Sequence, residues 1–600
     1  MDTETLRAHA ERWLGEVEQA LATRDASGLE RLFAQESYLR DNGALTFDFH
    51  QYHGRDAVVA TLLDVVGDIK PTNLRLAAEW PAPQVLGEGA AAYVEVFFWF
   101  DTAVGTALGL LNALPDQQAP SGLVARALYT RLESLHSIQA PQVHPRGHGY
   151  TPDHPGQTWT EHRAARREFV DAEPEVLIVG SGQAGLVAAA HLTRLGVRTL
   201  VVDANDRVGD NWRKRYDSLA LHNPVEMNGF PFLPFPEHFP EYLPKEVVGD
   251  WLETYARYLD LDVWTSTRFE GAQRDEPNGT WSATVRRADG TTRVLRPQHI
   301  VLATGGIGGR PAIPELPGLS DFTGGVVHSS GFHGATWHEA RRAIVVGTGS
   351  SAHDIALDLV EHGVEVTMVQ RGPVVVNHVA TANLAYAAYF DGTPPELVDA
   401  RYGVYLIDPI RVAASKQYHA MAKEMDAELL KGLEAAGMRL GDGIEGQGWL
   451  DLFLRTGGGY YLNVGASEAI VEGRIAVLQN DRITRFGPAG AELDDGSVVE
   501  ADLVVLATGY QNRSVEVADW FGQQVADRVG EIARIDAEGE WANLWGQTAQ
   551  PGLWFNGGGI NQVRPGSHRL ALLIKADLDG SIPDRFRRAN AAQAATAVNR

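Results

Sequence analysis

Two glycine-rich runs in this chain sit where backbone rather than side chains would do the binding. The first is Gly180-Ser181-Gly182-Gln183-Ala184-Gly185. Four apolar residues precede it, Val176 to Val179, and read as a strand buried on both faces; a helical run opens directly behind it. A second β-branched run, Thr199 to Val202, ends on Asp203. Each part has a reason in holding a dinucleotide. The first glycine permits a tight turn, the second lets backbone approach a pyrophosphate, and the third brings helix close to strand. The phosphates meet a helix N-terminus and the acid bonds the ribose hydroxyls. The second run, Gly347-Thr348-Gly349-Ser350-Ser351, follows the strand Ala343 to Val346 and precedes a helix and the strand Val364 to Val369. There the terminal acid is missing and Gln370-Arg371 stands in its place. A 2′-phosphate pairs with a guanidinium where a bare ribose takes a carboxylate. Arg371 therefore favours NADPH, with NADH left open as a second donor.

Two more apolar strands end alike: His299 to Leu302 before Ala303-Thr304-Gly305, and Val504 to Leu506 before Ala507-Thr508-Gly509. Such strands close the sheets of flavoproteins that carry two dinucleotides, with glycine turning the chain beside the cofactor. The elements that position the glycine loops are thus two Rossmann-type units of an α/β fold, a distant internal repeat.

Six hundred residues imply several cores. The net charge of −25 argues against nucleic acid or an anionic membrane surface as partner. There is no cysteine, which excludes disulfides, thiolate metal sites and a redox-active cysteine pair. The polar opening MDTETLRAHAERW does not read as a signal peptide, and the longest uncharged apolar run, near Thr102 to Pro115, is short for a membrane span. The chain reads as cytoplasmic.

Residues 1–150 form a region of their own. Leu6, Trp13, Leu14, Val17 and Leu21 fall on one helix face, and Tyr93 to Phe100 reads as a strand, which together suggest a small α+β domain. The stretch SYLRDNGALTFDFHQYHGRDAVVATLLD resembles the cone-shaped SnoaL-like and ketosteroid isomerase fold. That likeness makes Asp41 and His53 candidate catalytic residues, although a structural or lid domain is the favoured reading. His144, His148 and His154 lie in a Pro/Gly-rich connector whose spacing matches no standard ligand set, so no metal is expected. Boundaries are expected as follows: linker 151–172, first part of the first dinucleotide-binding domain 173–335, second (NADPH) domain with a helical insertion 336–499, and second part of the first domain 500–600. In the insertion, Met421, Met425, Leu429 and Leu433 recur along one face of a helical run from Val412 to Met438, expected to wall a substrate pocket.

Gly209-Asp210-Asn211-Trp212 and the Pro/Phe-rich SLALHNPVEMNGFPFLPFP that follows resemble the flavin-containing monooxygenases, including their plant auxin-forming branch. The run Phe322-Thr323-Gly324-Gly325-Val326-Val327-His328-Ser329-Ser330-Gly331-Phe332 fits their fingerprint FxGxxxHxxx(F/Y), and Baeyer–Villiger monooxygenases share a version ending in Trp. Trp554 to Asn561 resembles the family segment that packs on the flavin ring. The likeness spans about residues 170 to 580, and microbial members with an N-terminal extension are the most similar. It implies one FAD held on the Gly180–Asp203 unit, with Asn211, Trp212, Thr304, Gly305, Thr508, Gly509 and Asn561 beside cofactor, and NADPH bound in turn on the second unit. It further implies hydride transfer to the flavin, a C4a-(hydro)peroxide formed with O2, and transfer of one oxygen atom to a small molecule. The flavin would do the hard chemistry while the protein orients and excludes water. A family asparagine that steadies the oxygenating intermediate falls on His222, with Asn223 one residue later; these two and His328 are the candidate catalytic residues. The Phe that ends the motif favours amines and sulfides as substrates, whereas the extra N-terminal domain is similar to that of members that convert ketones by Baeyer–Villiger oxidation; a homodimer is also left open. A disulfide reductase shares the layout but needs cysteines; an NADPH oxidase releasing hydrogen peroxide would use every motif named.

Overall fold

The computed structural model describes residues 2–138, 155–305 and 309–588. The three connector histidines lie outside these residues. Among the described residues, no helix is long and apolar enough to cross a membrane.

The N-terminal region is α+β, as its pattern predicts. The helix Thr3–Thr23 starts at Asp2, whose carboxylate accepts from the Thr5 amide at 2.8 Å, and it buries Leu6, Trp13, Leu14, Val17 and Leu21. With the helices Ala26–Leu32 and Arg55–Ile69 it covers one side of a seven-stranded sheet. The sheet is mostly antiparallel, but Phe33–Asn42 runs parallel to Leu123–Leu135. The expected strand is present as Tyr93–Asp101.

Two five-stranded sheets, all parallel, carry the glycine loops. The first runs Val263–Trp264, Thr199–Val202, Val176–Val179, His299–Leu302, Leu553–Phe555. The second runs Gly325–His328, Leu503–Leu506, Arg342–Val346, Glu365–Gln370, Ile475–Gln479. Central strands such as Val176–Val179 and Leu503–Leu506 are buried at every position, as expected where helices cover both faces.

This topology moves two expected boundaries. Leu503–Leu506 lies in the second sheet, so the second unit runs past 500, and the first sheet is closed instead by Leu553–Phe555. Gly325–His328 pairs with Leu503–Leu506, so the second unit also begins before 336. A short β-branched run has the same pattern in either sheet, and only the crossover decides its neighbour.

The insertion differs too. The expected long helix is broken at Asp426 into Asp408–Met425 and Ala427–Ala435. The Asp426 carboxylate is buried, accepting from Asn377 at 2.9 Å, from Thr381 Oγ1 at 2.7 Å and from the His378 amide at 3.1 Å. Leu433 is buried, whereas Met421 and Met425 are exposed, and neither these nor Leu429 line the cavity beside Asn561 described below.

Candidate active site

In the first glycine loop, Gly180 adopts φ +105°, and a Cβ there would lie 2.6 Å from the Ala303 carbonyl. Gly185 is equally constrained: its Cβ would lie 1.9 Å from the Gly180 oxygen. Gly182 is different. It caps the helix Gln183–Arg194, and a Cβ there would meet only the Asn211 amide, at 3.1 Å. The space in front of this helix N-terminus is open but for the Asn211 side chain, as a pyrophosphate requires. Asp203 ends the second strand and accepts from the Ser181 amide at 2.6 Å, from Ser181 Oγ at 2.7 Å and from the Asn205 amide at 2.8 Å. Gln183 accepts from Trp212 Nε1 at 3.2 Å and donates to the Gly558 carbonyl at 3.3 Å. Asn211, Trp212 and the loop before Asn561 therefore converge on the first cradle.

One residue at this cradle was not legible in the sequence. Arg513 is buried and donates to the Leu302 carbonyl at 2.6 Å, the Asn556 carbonyl at 3.3 Å and Thr304 Oγ1 at 3.3 Å. It thereby ties together the carboxyl ends of the two last strands of the first sheet. Its Nε is left without a partner, and burial pushes the guanidinium down to about 10 against the pull of Glu516. Its signal, an arginine four residues after Gly509, points toward the wrong sheet. A buried cation and a backbone-lined helix N-terminus fit a dinucleotide pyrophosphate.

The second loop repeats the first. Gly347 has φ +129°, with its Cβ position 2.4 Å from the Ala507 carbonyl, and Gly349 caps the helix Ser350–Glu361 with open space in front. Ser350 Oγ lies 3.4 Å from the Tyr460 carbonyl, and the neighbouring Ser351 is half-buried in the same first turn. Gln370 takes the position of the missing acid but is consumed by the fold: it accepts from the Arg439 amide at 2.8 Å and donates to the Arg439 carbonyl at 2.8 Å. Arg371 is exposed beside it, with no partner among the described residues.

Between the cradles, Tyr216 donates to Asp354 Oδ2 at 2.8 Å, and His222 Nε2 lies 3.7 Å from Asp354 Oδ1. Burial pushes the Asp354 carboxyl up, opposed by His222 and Tyr216. Asn223 is turned away, its amide 3.5 Å from Met227 Sδ. Of the two candidates, His222 is the one that faces the cleft between the units. His328 is not free for chemistry. Its Nε2 is 3.0 Å from the Gly509 carbonyl and its Nδ1 accepts from the Ser330 amide at 3.1 Å, so it pins the end of strand Gly325–His328 to the loop of Thr508 and Gly509. Thr508 Oγ1 donates in turn to the Ala312 carbonyl at 2.6 Å, and Thr304 Oγ1 to Glu516 at 2.9 Å; Gly305 takes φ +80°.

A cavity opens next to Asn561, at the start of the closing helix Ile560–Leu578. The closing helix and Trp541 form one side, Tyr386, Tyr389 and Tyr402 of the insertion a second, and Asn42 and Tyr129 of the N-terminal sheet a third. Its guanidinium groups are paired: Arg40 with Glu540 at 2.5 and 2.9 Å, Arg569 with Glu133 at 2.9 Å, and Arg564, just behind it, with Asp399 at 2.7 and 2.8 Å. Gly403 lies so close to Tyr129 that a Cβ would sit 2.2 Å from its ring. The N-terminal domain is thus packed into the catalytic body.

That domain shows no second active site at the expected residues. Asp41 is buried and spent on structure, accepting from Thr46 Oγ1 and Thr130 Oγ1 at 2.7 Å and from the amides of Ala44, Leu45 and Thr46. His53 stands 3.5 Å from Gln51 Oε1 at the sheet edge, with the Tyr38 ring edge-on.

Residues 174–388 match the pyridine nucleotide-disulphide oxidoreductase family. The chain is 32% identical over 338 residues to the probable indole-3-pyruvate monooxygenase YUCCA9 of Arabidopsis thaliana, a match that covers 56% of this chain and 75% of that protein. The chain belongs to the flavin-containing monooxygenases. To the indole-3-pyruvate monooxygenase YUCCA1 of Oryza sativa subsp. japonica this flavin-containing monooxygenase is 31% identical, over 56% of its own length and 77% of the other's. Its fold is similar to that of cyclohexanone monooxygenase from Rhodococcus sp. Phi1 bound to NADP+, with a TM-score of 0.50 at 17% identity, over 68% of this chain and 84% of that one. The resemblance read from Phe322 to Phe332 is borne out, and with it an oxidoreductase that oxygenates a small molecule. Disulfide chemistry plays no part in a chain without cysteine.

Proposed function

We propose that this flavin-containing monooxygenase holds FAD in the Gly180–Asp203 cradle, takes NADPH at the Gly347–Arg371 cradle, and oxygenates a ring-bearing carbonyl compound in the cavity beside Asn561. The observation that carries the substrate reading is that cavity: it is lined with aromatic rings and lies beside Asn561, whose loop meets the first cradle where Gln183 donates to the Gly558 carbonyl. Similarity to enzymes named for indole-3-pyruvate, a 2-oxo acid, supports a carbonyl over an amine or sulfide.

When bound, the flavin supplies oxygen activation and the nicotinamide supplies reducing equivalents. The chain's residues supply binding, orientation and shielding. Gly182, Gly349 and the helix N-termini behind them hold pyrophosphates, Asp203 bonds the ribose, and Arg371 bonds the 2′-phosphate. His222, at the cleft and backed by Asp354, offers an imidazole N–H to developing negative charge. The tyrosines and tryptophans exclude water from the oxygenation site. The N-terminal domain acts as a wall of the pocket. A cytoplasmic location accords with the need for NADPH and the absence of cysteine. The test is to follow NADPH consumption, hydrogen peroxide and oxygenated product together, with a panel of aryl ketones, 2-oxo acids and sulfides. Product matching NADPH with carbonyl substrates supports the reading; peroxide matching NADPH with every substrate makes the protein an oxidase.

A further inference from the structure

The helix Pro395–Tyr405 of the insertion lies between the N-terminal sheet and the cavity. Ala400 and Val404 pack on the sheet with Phe97 and Leu110, while Asp399, Tyr402 and Gly403, three and four residues apart, line the cavity. The sheet also grips the helix on either side of Tyr402. Arg401 pairs with Glu95 through two bonds of 2.9 and 2.8 Å, and the Gly403 carbonyl accepts from Arg40 at 3.0 Å. The Tyr402 ring is steadied by that of Tyr405, centroid to centroid 5.1 Å. The tyrosine hydroxyls of the cavity are not equivalent. Tyr389 donates to Asp399 at 2.8 Å, and Tyr129 accepts from Asn42 at 3.3 Å. The Tyr402 hydroxyl has no hydrogen-bond partner among the described residues, yet it is not one of the unpaired atoms sealed in the core. Burial first, and then the neighbouring Tyr386, push this phenol well above its usual value, so its oxygen is withdrawn from bulk water. A hydroxyl that is neither paired, nor sealed, nor in bulk water opens into the cavity it lines.

We infer that Tyr402 binds the carbonyl oxygen of the substrate, and that the N-terminal domain positions it to do so by holding Arg401 and Gly403. This rests on the cavity being the oxygenation pocket. A carbonyl oxygen accepts and cannot donate, so it needs an O–H or N–H on the wall. The guanidinium groups of Arg40 and Arg569 are already paired with carboxylates, whereas Tyr402 has its proton to give and keeps it throughout the neutral range. Tyr386 is the nearest rival, since its hydroxyl also lacks a partner; but that residue is only 3% exposed, whereas Tyr402 is half-buried. The ring of the substrate then lies among the remaining aromatic walls, Trp541 and Phe453. Glu95 is a positioning residue: it acts on the substrate only through the helix turn that carries Tyr402.

The test uses the FAD-loaded protein without NADPH and two probes of like shape, phenylacetone and benzyl methyl sulfide, whose thioether is only a weak acceptor. Binding is measured by titration calorimetry. Tyr402→Phe, which keeps the ring against Tyr405, should weaken the ketone about tenfold, the scale of one buried hydrogen bond, and the sulfide by less than about twofold. Infrared difference spectra of phenylacetone labelled at the carbonyl carbon should show the bound carbonyl band at lower frequency in the wild type than in Tyr402→Phe, a shift that a purely structural role would not produce. Glu95→Gln should weaken the ketone less and add nothing further in the Tyr402→Phe background; thermal unfolding checks that each variant is folded. Equal losses for both probes, a carbonyl band that does not move, the same loss on Tyr386→Phe in place of Tyr402→Phe, or no saturable binding of phenylacetone would overturn the inference. A Glu95→Gln loss that persists in full without the Tyr402 hydroxyl would overturn the positioning role. Selective binding of the ketone without product once NADPH and oxygen are added would instead sink the oxygenation reading.

Discussion

Tyr216 donates to Asp354 across the cleft between the two nucleotide units, and the other oxygen of that carboxylate faces the His222 imidazole. One buried acid on the second unit therefore holds two residues of the loop that follows the first. Removing the hydroxyl in Tyr216→Phe leaves Asp354 short of a partner and should lower stability by about 1–3 kcal/mol. Thermal unfolding of the FAD-loaded protein measures it; an unchanged midpoint would show that the contact is not formed in solution.

His222→Ala should retain FAD and still consume NADPH, but release more of the oxygen as hydrogen peroxide. Loss of a donor in a site shielded from water is worth a few kcal/mol to a developing charge. Asn223→Ala, whose amide turns toward Met227, should stay better coupled. A reversed order of peroxide yields would assign the role to Asn223.

Gly182 and Gly185 should fail differently. Gly182→Val meets only the Asn211 side chain, which must shift slightly, yet fills the space meant for a pyrophosphate, so the protein should be folded and colourless. Gly185→Ala drives a methyl against the Gly180 carbonyl and should unfold at lower temperature. Absorbance in the flavin band and thermal unfolding separate the two; full FAD occupancy in Gly182→Val would refute the cradle assignment.

Arg371→Ala should weaken NADPH by about 1.5–3 kcal/mol, the worth of a charge-assisted contact, and leave NADH nearly unchanged. KM for each cofactor reads this out. Equal losses would make Arg371 structural.

Docking of the N-terminal domain should depend on pH through His50, 2.7 Å from Glu538. Burial alone would lower the imidazole, but the Glu538 bond and the Asp48 carboxylate outweigh it and hold His50 up at about 8. Because the folded value exceeds the unfolded one near 6.5, this contact stabilises fully below pH 6.5 and is lost as pH rises through 8. Glu538, held low first by the same bond, keeps its share until pH falls below its usual range near 4.5. Limited proteolysis across pH 6–9 should show the domain loosening at the alkaline end, and His50→Gln should flatten that profile.

The dinucleotide cradles were legible because their parts are local: strand, glycines, helix and acid lie within 28 residues, Val176 to Asp203. Gly180 and Gly347 even announce their φ by being glycine. The cavity was not legible, because Asn42, Tyr402 and Asn561 come from three regions that no spacing connects. Arg513 was missed and the strand Leu503–Leu506 misplaced for a related reason, since the sheet a strand joins depends on a crossover and not on its residues. Met421 and Met425 kept their helical period while Asp426 bent the helix away from it.

Arg40 and Glu540 are 500 residues apart in sequence. On a ribosome adding about 5–20 residues each second, the first waits on the order of 25–100 s for the second to emerge. Through that interval the N-terminal sheet must stand alone, with Tyr129 and Asn42 open to water and to other nascent chains. Its own core around Trp13 and Phe98 lets it do so. The pocket therefore closes only when residues 540–569 fold back onto a surface made from residues 40–130 long before them.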